Sequence, residues 1–301
     1  MGSRKDNGKQ GKTATDLARW QVPAGGKGFA LSRCDPSAKP MAYADKDDGK
    51  ARVAELASEI DRLQDIFYAD GRFALLVVLQ GMDAAGKDGT IRAVFKETSP
   101  LGVRTVGWKA PSDIERAHDY LWRIHQQMPR KSEFMVFNRS HYEDVLVPVV
   151  NGWIDAATTR QRYAQINDFE RRLAANGTHI VKFFLHISKQ EQLRRFKQRL
   201  DDPARHWKIS EADYSERECW AGYEAAYEDA LSNCSADAAP WFVIPSNHKW
   251  FRDLAISQIL VETMEQLGVE LPEPAVNIAD IRRKYHEAVG RSVTKKAANK
   301  R

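Results

Sequence analysis

In the segment LVVLQGMDAAGKDGTIRAVF (76–95), Gly81, Gly86 and Lys87 stand at the spacing G-x-x-x-x-G-K. That spacing lets a loop and the following helix N-terminus aim backbone N–H groups at one phosphate, while the lysine adds a mobile ammonium. The helix dipole contributes about half a positive charge at the same place. Met82, Asp83, Ala84, Ala85, Asp88 and Gly89 complete the expected phosphate-binding stretch. One residue departs from the usual pattern: Asp88 stands where a Ser or Thr hydroxyl would ligate magnesium. A carboxylate beside a phosphate repels it unless a cation lies between them. The loop is therefore expected to work with Mg²⁺, with Mn²⁺ as the alternative ion, held by one or two carboxylates and by phosphate oxygens. Asp83, inside the loop, is the expected metal-reaching residue. Asp88 reads as an acidic cap in the first helical turn.

A second cluster lies in FMVFNRSHYEDVLV (134–147), where an apolar run ends in NRSHYED. Arg139 is placed to bridge phosphates bidentately, and Asp144 or Glu143 to complete the metal site. Ser140 with Glu143 three residues on has the spacing of a capping box, which would fix the turn presenting Arg139 and Asp144. His141 reads as a hydrogen-bonding residue, because phosphoryl transfer needs positioning more than proton abstraction. A third cluster, KQEQLRRFKQRLDDPARHWKIS (189–210), crowds Arg194, Arg195, Lys197, Arg199, Arg205 and Lys208 onto a helix and its exit. Pairs such as Glu191–Arg195 at i,i+4 absorb part of that charge. The excess suits a donor with many phosphates, and a segment at this place in nucleotide kinases is a lid whose arginines close over the transferring group.

These clusters need a scaffold that brings strand ends together. Strand-like runs fall at 73–80, 103–108, 134–138, 180–187 and 241–245, with helical patterns at 51–71, 112–127, 158–175, 189–200, 214–231 and 248–267. Continuous Val/Ile/Leu/Phe strands separated by helices indicate a parallel sheet covered on both faces, hence an α/β doubly wound sheet of about five strands. All three clusters follow strands, and ligands in such sheets bind beyond the strands' carboxyl ends. Residues 1–50 read as an extended arm, 51–270 as the catalytic domain with a helical lid at about 194–212, and 271–301 as a basic tail. No apolar run approaches the ~20 residues of a membrane span. Three scattered cysteines without C-x-x-C argue against a disulfide framework or a zinc site and for a reducing, cytoplasmic setting. The net charge of +5 is concentrated at Arg194–Lys208 and in the last residues, which implies an anionic partner. The tails lack the aromatic-basic interleaving that stacks bases, which argues against nucleic acid as that partner.

The motifs GMDAAGKDGTIR (81–92), FNRSHYEDVLV (137–147), QINDFERRL (165–173) and KFFLHISKQEQ (182–192), with the lid RRFKQRLDDPARHWK, resemble the polyphosphate kinase 2 family over about residues 20–270. The resemblance implies a P-loop kinase fold with a lid, Mg²⁺, and phosphoryl transfer between inorganic polyphosphate and adenine or guanine nucleotides by a homo-oligomer, dimer or tetramer. Met82 before Asp83, and Asn138-Arg139-Ser140-His141, are similar to the third subgroup, which acts on both AMP and ADP. Carried over, Asp83 and Asp144 become metal-binding carboxylates, Lys87 and Arg139 contact the transferring phosphate, and Arg199 with the neighbouring lid bases grips phosphates. The alternative on the same fold is an ATP-dependent nucleotide or small-metabolite kinase.

Overall fold

The computed structural model describes residues 19–40 and 45–298. Five strands form one parallel sheet in the order β2-β3-β1-β4-β5. They are β1 (Ala74–Gln80), β2 (Val103–Gly107), β3 (Phe134–Asn138), β4 (Thr178–His186) and β5 (Trp241–Pro245). Every residue of β1 is buried, as an inner strand covered on both faces requires. The register pairs Leu79 with Asn138, Gln80 with Phe184 and His186 with Pro245. The strands thus end at one edge. The chain runs to one side of β1 for β2 and β3, then crosses to the other for β4 and β5. The switch point therefore lies at the end of β1, where open α/β sheets bind their ligands.

The helices are α1 (Lys46–Asp70), α2 (Lys87–Val94), α3 (Asp113–Arg116), α4 (Trp122–His125), α5 (Glu143–Val150) and α6 (Ala156–Ala175), followed by α7 (Lys189–Leu200), α8 (Glu211–Glu218), α9 (Trp220–Asn233), α10 (Lys249–Gln266) and α11 (Ile278–Ala298). Asp45 caps α1 by accepting from the Asp47 and Asp48 N–H groups, so the helix starts ahead of Ala51. Val53, Leu56, Ile60, Leu63 and Phe67 make its buried stripe, and it packs along α10. The single helix expected over 112–127 is instead two turns. The Asp119 carboxylate accepts the Leu121 N–H at 3.0 Å, a local bond that competes with the helical ladder. The helix expected over 214–231 breaks at Cys219, between α8 and α9.

Part of the arm expected over 1–50, residues 1–18 and 41–44, lies outside the described residues. Within 19–40, Trp20, Val22 and Leu31 are buried, and the Val22 N–H donates to Trp241 O at 2.8 Å. That contact covers the free edge of β5. The tail expected from 271 contains α11, where Ile278, Ile281 and Tyr285 are exposed; residues 299–301 lie outside the described residues.

A polar knot sits inside the core. Lys182 on β4 donates to Glu170 Oε2 at 2.5 Å, to Tyr142 Oη at 2.8 Å and to Cys234 O at 2.7 Å. Glu170 Oε1 also meets His141 Nε2 at 3.1 Å and accepts the Tyr142 hydroxyl at 2.9 Å. Burial pushes the Glu170 carboxyl up, but Lys182 and His141 outweigh it and hold it below its ordinary value. Replacing Glu170 by Ala strands a buried ammonium, so the variant should lose about 3–5 kcal/mol of unfolding free energy. The urea midpoint at unchanged slope measures it. A loss no larger than the ~0–1 kcal/mol of a surface pair contradicts a buried ion pair here.

Candidate active site

The phosphate loop is shaped by backbone that only glycine tolerates easily. Gly86, the residue before α2, has φ +109°, and a Cβ on it would lie 1.8 Å from Arg252 Nη1. A Cβ on Gly81 would lie 2.8 Å from Leu185 O. Inside this loop the Lys87 side chain is buried, its Nζ donating to Gly81 O at 2.7 Å and to Met82 O at 3.4 Å. Burial, with Arg139 nearby, pulls the Lys87 ammonium down to about 8.

Two guanidiniums hold the loop from its other side. Arg195 of α7 donates to Ala84 O at 2.8 Å and Ala85 O at 2.7 Å, and its Nε pairs with Glu191 at 2.6 Å. Arg252 of α10 donates to Ala85 O at 3.3 Å and is fixed by Asp253 at 2.6 Å. Arg195 is thus a clamp on loop carbonyls that also lines the cleft described below. Arg194 turns away to Glu191, making two bonds of 2.6 Å, and does not line the cleft described below.

The NRSHYED motif comes off β3 with Arg139 at φ +66°. Its guanidinium bonds Asp83 Oδ1 at 2.5 Å and Glu143 Oε2 at 3.0 Å. Burial pushes the Asp83 carboxyl up, yet the charges of Arg139 and Lys87 prevail and hold it below the usual range. Glu216 of α8 lies against Asp83; burial and that contact push its carboxyl up to about 7. The expected capping box fails, because Ser140 is engaged elsewhere. Its Oγ accepts from Gln80 Nε2 at 3.1 Å and from the Tyr142 N–H at 3.2 Å, while Glu143 turns to Arg139. His141 is wholly buried on Glu170.

Asp88 is not a cap either. Its Oδ1 accepts from Asn138 Nδ2 at 2.8 Å and its Oδ2 from Lys208 Nζ at 2.7 Å. The residue that replaces the usual hydroxyl therefore ties the phosphate-loop helix to β3 and to the lid. Lys208 ends a 3₁₀ turn (Pro203–Lys208) between α7 and α8, and Arg199 Nη1 donates to Lys208 O at 3.0 Å. Arg205 pairs with Asp202 at 2.8 Å at the cleft's rim.

Together these elements enclose a cleft of about 820 Å³. Ten Lys or Arg side chains line it against three Asp; Glu191 and Asp253 balance Arg195 and Arg252 from behind the loop, and the cations that remain still outnumber the acids, as an anion site requires. Lys87, Asp83, Asp88, Arg139, Arg199, Arg205 and Lys208 all meet there. Sequence reasoning missed Arg92, Lys109, Lys249 and Arg252. The available signal was position: Lys109 follows β2, and Lys249 and Arg252 follow β5, at the same sheet edge. It also missed Arg123, which stacks on Trp108 at 5.2 Å and donates to Lys109 O at 2.9 Å.

The chain matches the polyphosphate kinase 2 family model over residues 43–272. The chain belongs to the polyphosphate kinase 2 family. It is 46% identical over 258 residues to an AMP/ADP-polyphosphate phosphotransferase of Meiothermus ruber, covering 86% of this chain and 96% of that one. An ADP-polyphosphate phosphotransferase of Rhodopseudomonas palustris is 42% identical over 72% of this chain and 81% of its own. A crystal structure of polyphosphate kinase 2 from Arthrobacter aurescens superposes with a TM-score of 0.85 at 42% identity, over 89% of this chain and 98% of that one.

The carboxylates that could hold a metal are sparser than expected. Among the described residues, no group of three or more His, Cys, Asp or Glu side chains is set to hold an ion. Glu143 is engaged by Arg139, and Asp144 does not line the cleft. Asp144 faces Arg123 at 3.7 Å and keeps a buried Oδ2 without a hydrogen-bond partner. Asp83 lines the cleft beside Lys87 and is likewise held by Arg139, through Oδ1 at 2.5 Å, so it could give Mg²⁺ a single carboxylate oxygen; that suits an ion that takes most of its ligands from phosphate and water.

The protonation of Lys87 bears on phosphate binding. Depressed from 10.5 to about 8, the side chain is protonated below pH 8 and increasingly neutral above it. An arriving phosphate favours the ammonium, so binding above pH 8 should take up a proton and weaken as pH rises. Calorimetric titration with ADP in buffers of differing ionisation heat, on either side of pH 8, measures this. Equal affinity and no proton uptake above pH 8 would show that Lys87 stays charged throughout.

Proposed function

We propose that this chain transfers phosphoryl groups between inorganic polyphosphate and nucleoside mono- and diphosphates, taking AMP to ADP and ADP to ATP reversibly. The observation that carries the reading is the charge of the cleft. Ten cations against three carboxylates line one space around a phosphate loop. That excess suits two polyanionic reactants held together, which repel each other in water. The Meiothermus relative, at 46% identity, supports action on both AMP and ADP.

The nucleophile is a terminal phosphate oxygen of the nucleotide, already ionised near neutral pH, so no side chain has to remove a proton. The chain's own residues align and neutralise instead. The Gly86 and Lys87 backbone with the Lys87 ammonium holds the transferring group, and Arg139 bridges it to the loop side. Arg199, Arg205 and Lys208 close the lid over the polyphosphate chain. Asp83 would hold Mg²⁺, which would supply further charge neutralisation to the transferring group. The free thiols of Cys34, Cys219 and Cys234 support a reducing, cytoplasmic setting. The exposed apolar residues Ile278, Ile281 and Tyr285 of α11 support a homo-oligomer, dimer or tetramer.

A time course with AMP, polyphosphate as sole phosphoryl donor and Mg²⁺ should show ADP first and ATP after it. ATP formed from ADP but nothing from AMP restricts the acceptor to diphosphates; no product from either overturns the reading. Lys87→Ala should lower kcat/KM on the order of a hundredfold or more, as loss of one preorganised charge partner does.

A further inference from the structure

The cleft contains one side chain that phosphate chemistry does not explain. Trp207, in the 3₁₀ turn of the lid, lines it and is 76% exposed. Among the described residues it is the one exposed large apolar side chain that does so. Trp108, the other indole lining the cleft, is 9% exposed, stacked under Arg123 and packed edge-on against Phe137 at 5.2 Å. Trp207 has no comparable packing duty. The neighbouring Lys208 ammonium sits 4.9 Å from its ring centroid and bonds Asp88 at 2.7 Å, while Arg199 holds the Lys208 carbonyl. The indole is therefore tied to the first turn of the phosphate-loop helix, one residue from Lys87.

A polyphosphate chain is anionic along its whole length and has nothing to set against an indole. With a nucleotide as the other reactant, as proposed above, the nucleobase is the sole part of either substrate that carries a π face. We propose that Trp207 is the nucleobase-stacking residue of the lid and sets affinity for the nucleotide without touching the polyphosphate. The lid then divides its work along six residues. Arg205 and Lys208 meet phosphates, and Trp207 between them meets the base. Stacking is tolerant of base identity because every base has a π face. Trp207 therefore favours purines over pyrimidines by ring size and does not distinguish adenine from guanine.

The test is steady-state kinetics of the full chain, varying ADP and polyphosphate separately, in the wild type, Trp207→Ala and Trp207→Phe. Trp207→Ala should raise the KM for ADP on the order of tenfold or more, the loss of one base–aromatic stack. The KM for polyphosphate should stay unchanged, and Trp207→Phe should recover most of the ADP affinity. Quenching of tryptophan fluorescence by ADP, absent with polyphosphate alone, should be lost in Trp207→Phe. A parallel rise in both KM values, or no change in the ADP value, overturns the assignment. So does a Trp207→Ala variant whose defect is a changed oligomeric state. A wild type that forms no ATP from ADP and polyphosphate defeats the kinase reading itself, and is thereby distinguishable from failure of the stacking.

Discussion

Everything at the cleft depends on two buried guanidiniums held against backbone carbonyls of the phosphate loop. Arg195 reaches Ala84 O and Ala85 O, and Arg252 reaches Ala85 O from the opposite helix. Across a trans peptide the C=O and the following N–H point in opposite directions. Fixing Ala85 O therefore fixes the direction of the Gly86 N–H, one of the donors a phosphate needs. Both arginines are buried, and each has its own carboxylate, Glu191 and Asp253, which a buried charge requires. The loop's cationic backing thus comes already neutralised. The net positive charge left for substrate resides in Lys87, Arg92, Lys109, Lys249 and the lid.

The same economy of counter-charge governs Arg139. A non-glycine residue in the left-handed region costs on the order of 1 kcal/mol or more and persists where its surroundings over-determine it. Here Asp83 and Glu143 grip the guanidinium, and the three residues that follow, Ser140 to Tyr142, are buried in the core. His141 and Tyr142 both end on Glu170, whose charge Lys182 balances. The buried knot under the sheet and the strained residue at its edge are one structure. Hydrogen bonds run from β4 through α6 to His141 and Tyr142, and the chain itself carries on from there to Arg139.

Much of this was legible in the sequence. β1 and the glycine spacing after it announced a strand, a phosphate loop and a helix, because a fully buried strand has to be continuously apolar and the loop has to be glycine-bounded. What stayed hidden were contacts between segments remote in the chain. Arg252 reads as one more basic residue at the start of an amphipathic helix; its role exists only because β5 and β1 end at the same sheet edge. Ser140 had capping-box spacing, but the Gln80 amide, sixty residues away, competes for its hydroxyl. Arg194 and Arg195 are adjacent and alike by composition. Both pair with Glu191, but the helical rotation of about 100° between them sends Arg195 inward to the loop and leaves Arg194 exposed.

Asp88 shows most plainly why local reading ran out. At the first turn of a helix an acid is favourable through the dipole alone, and that explanation is sufficient by itself. The carboxylate nevertheless spends both oxygens on tertiary partners, Asn138 of β3 and Lys208 of the lid. A Ser or Thr hydroxyl at this place could ligate a metal, but it could not form an ion pair with a lysine. The substitution exchanges a metal ligand for a tether on the lid. On the proposed reading, Asp83 and the substrates' own phosphates would then hold Mg²⁺. A polyphosphate chain, which brings many oxygens, lightens that burden more than a compact donor does. The lid is thus tied by an ion pair in which a phosphate, of the same charge sign as the Asp88 carboxylate, can compete for Lys208.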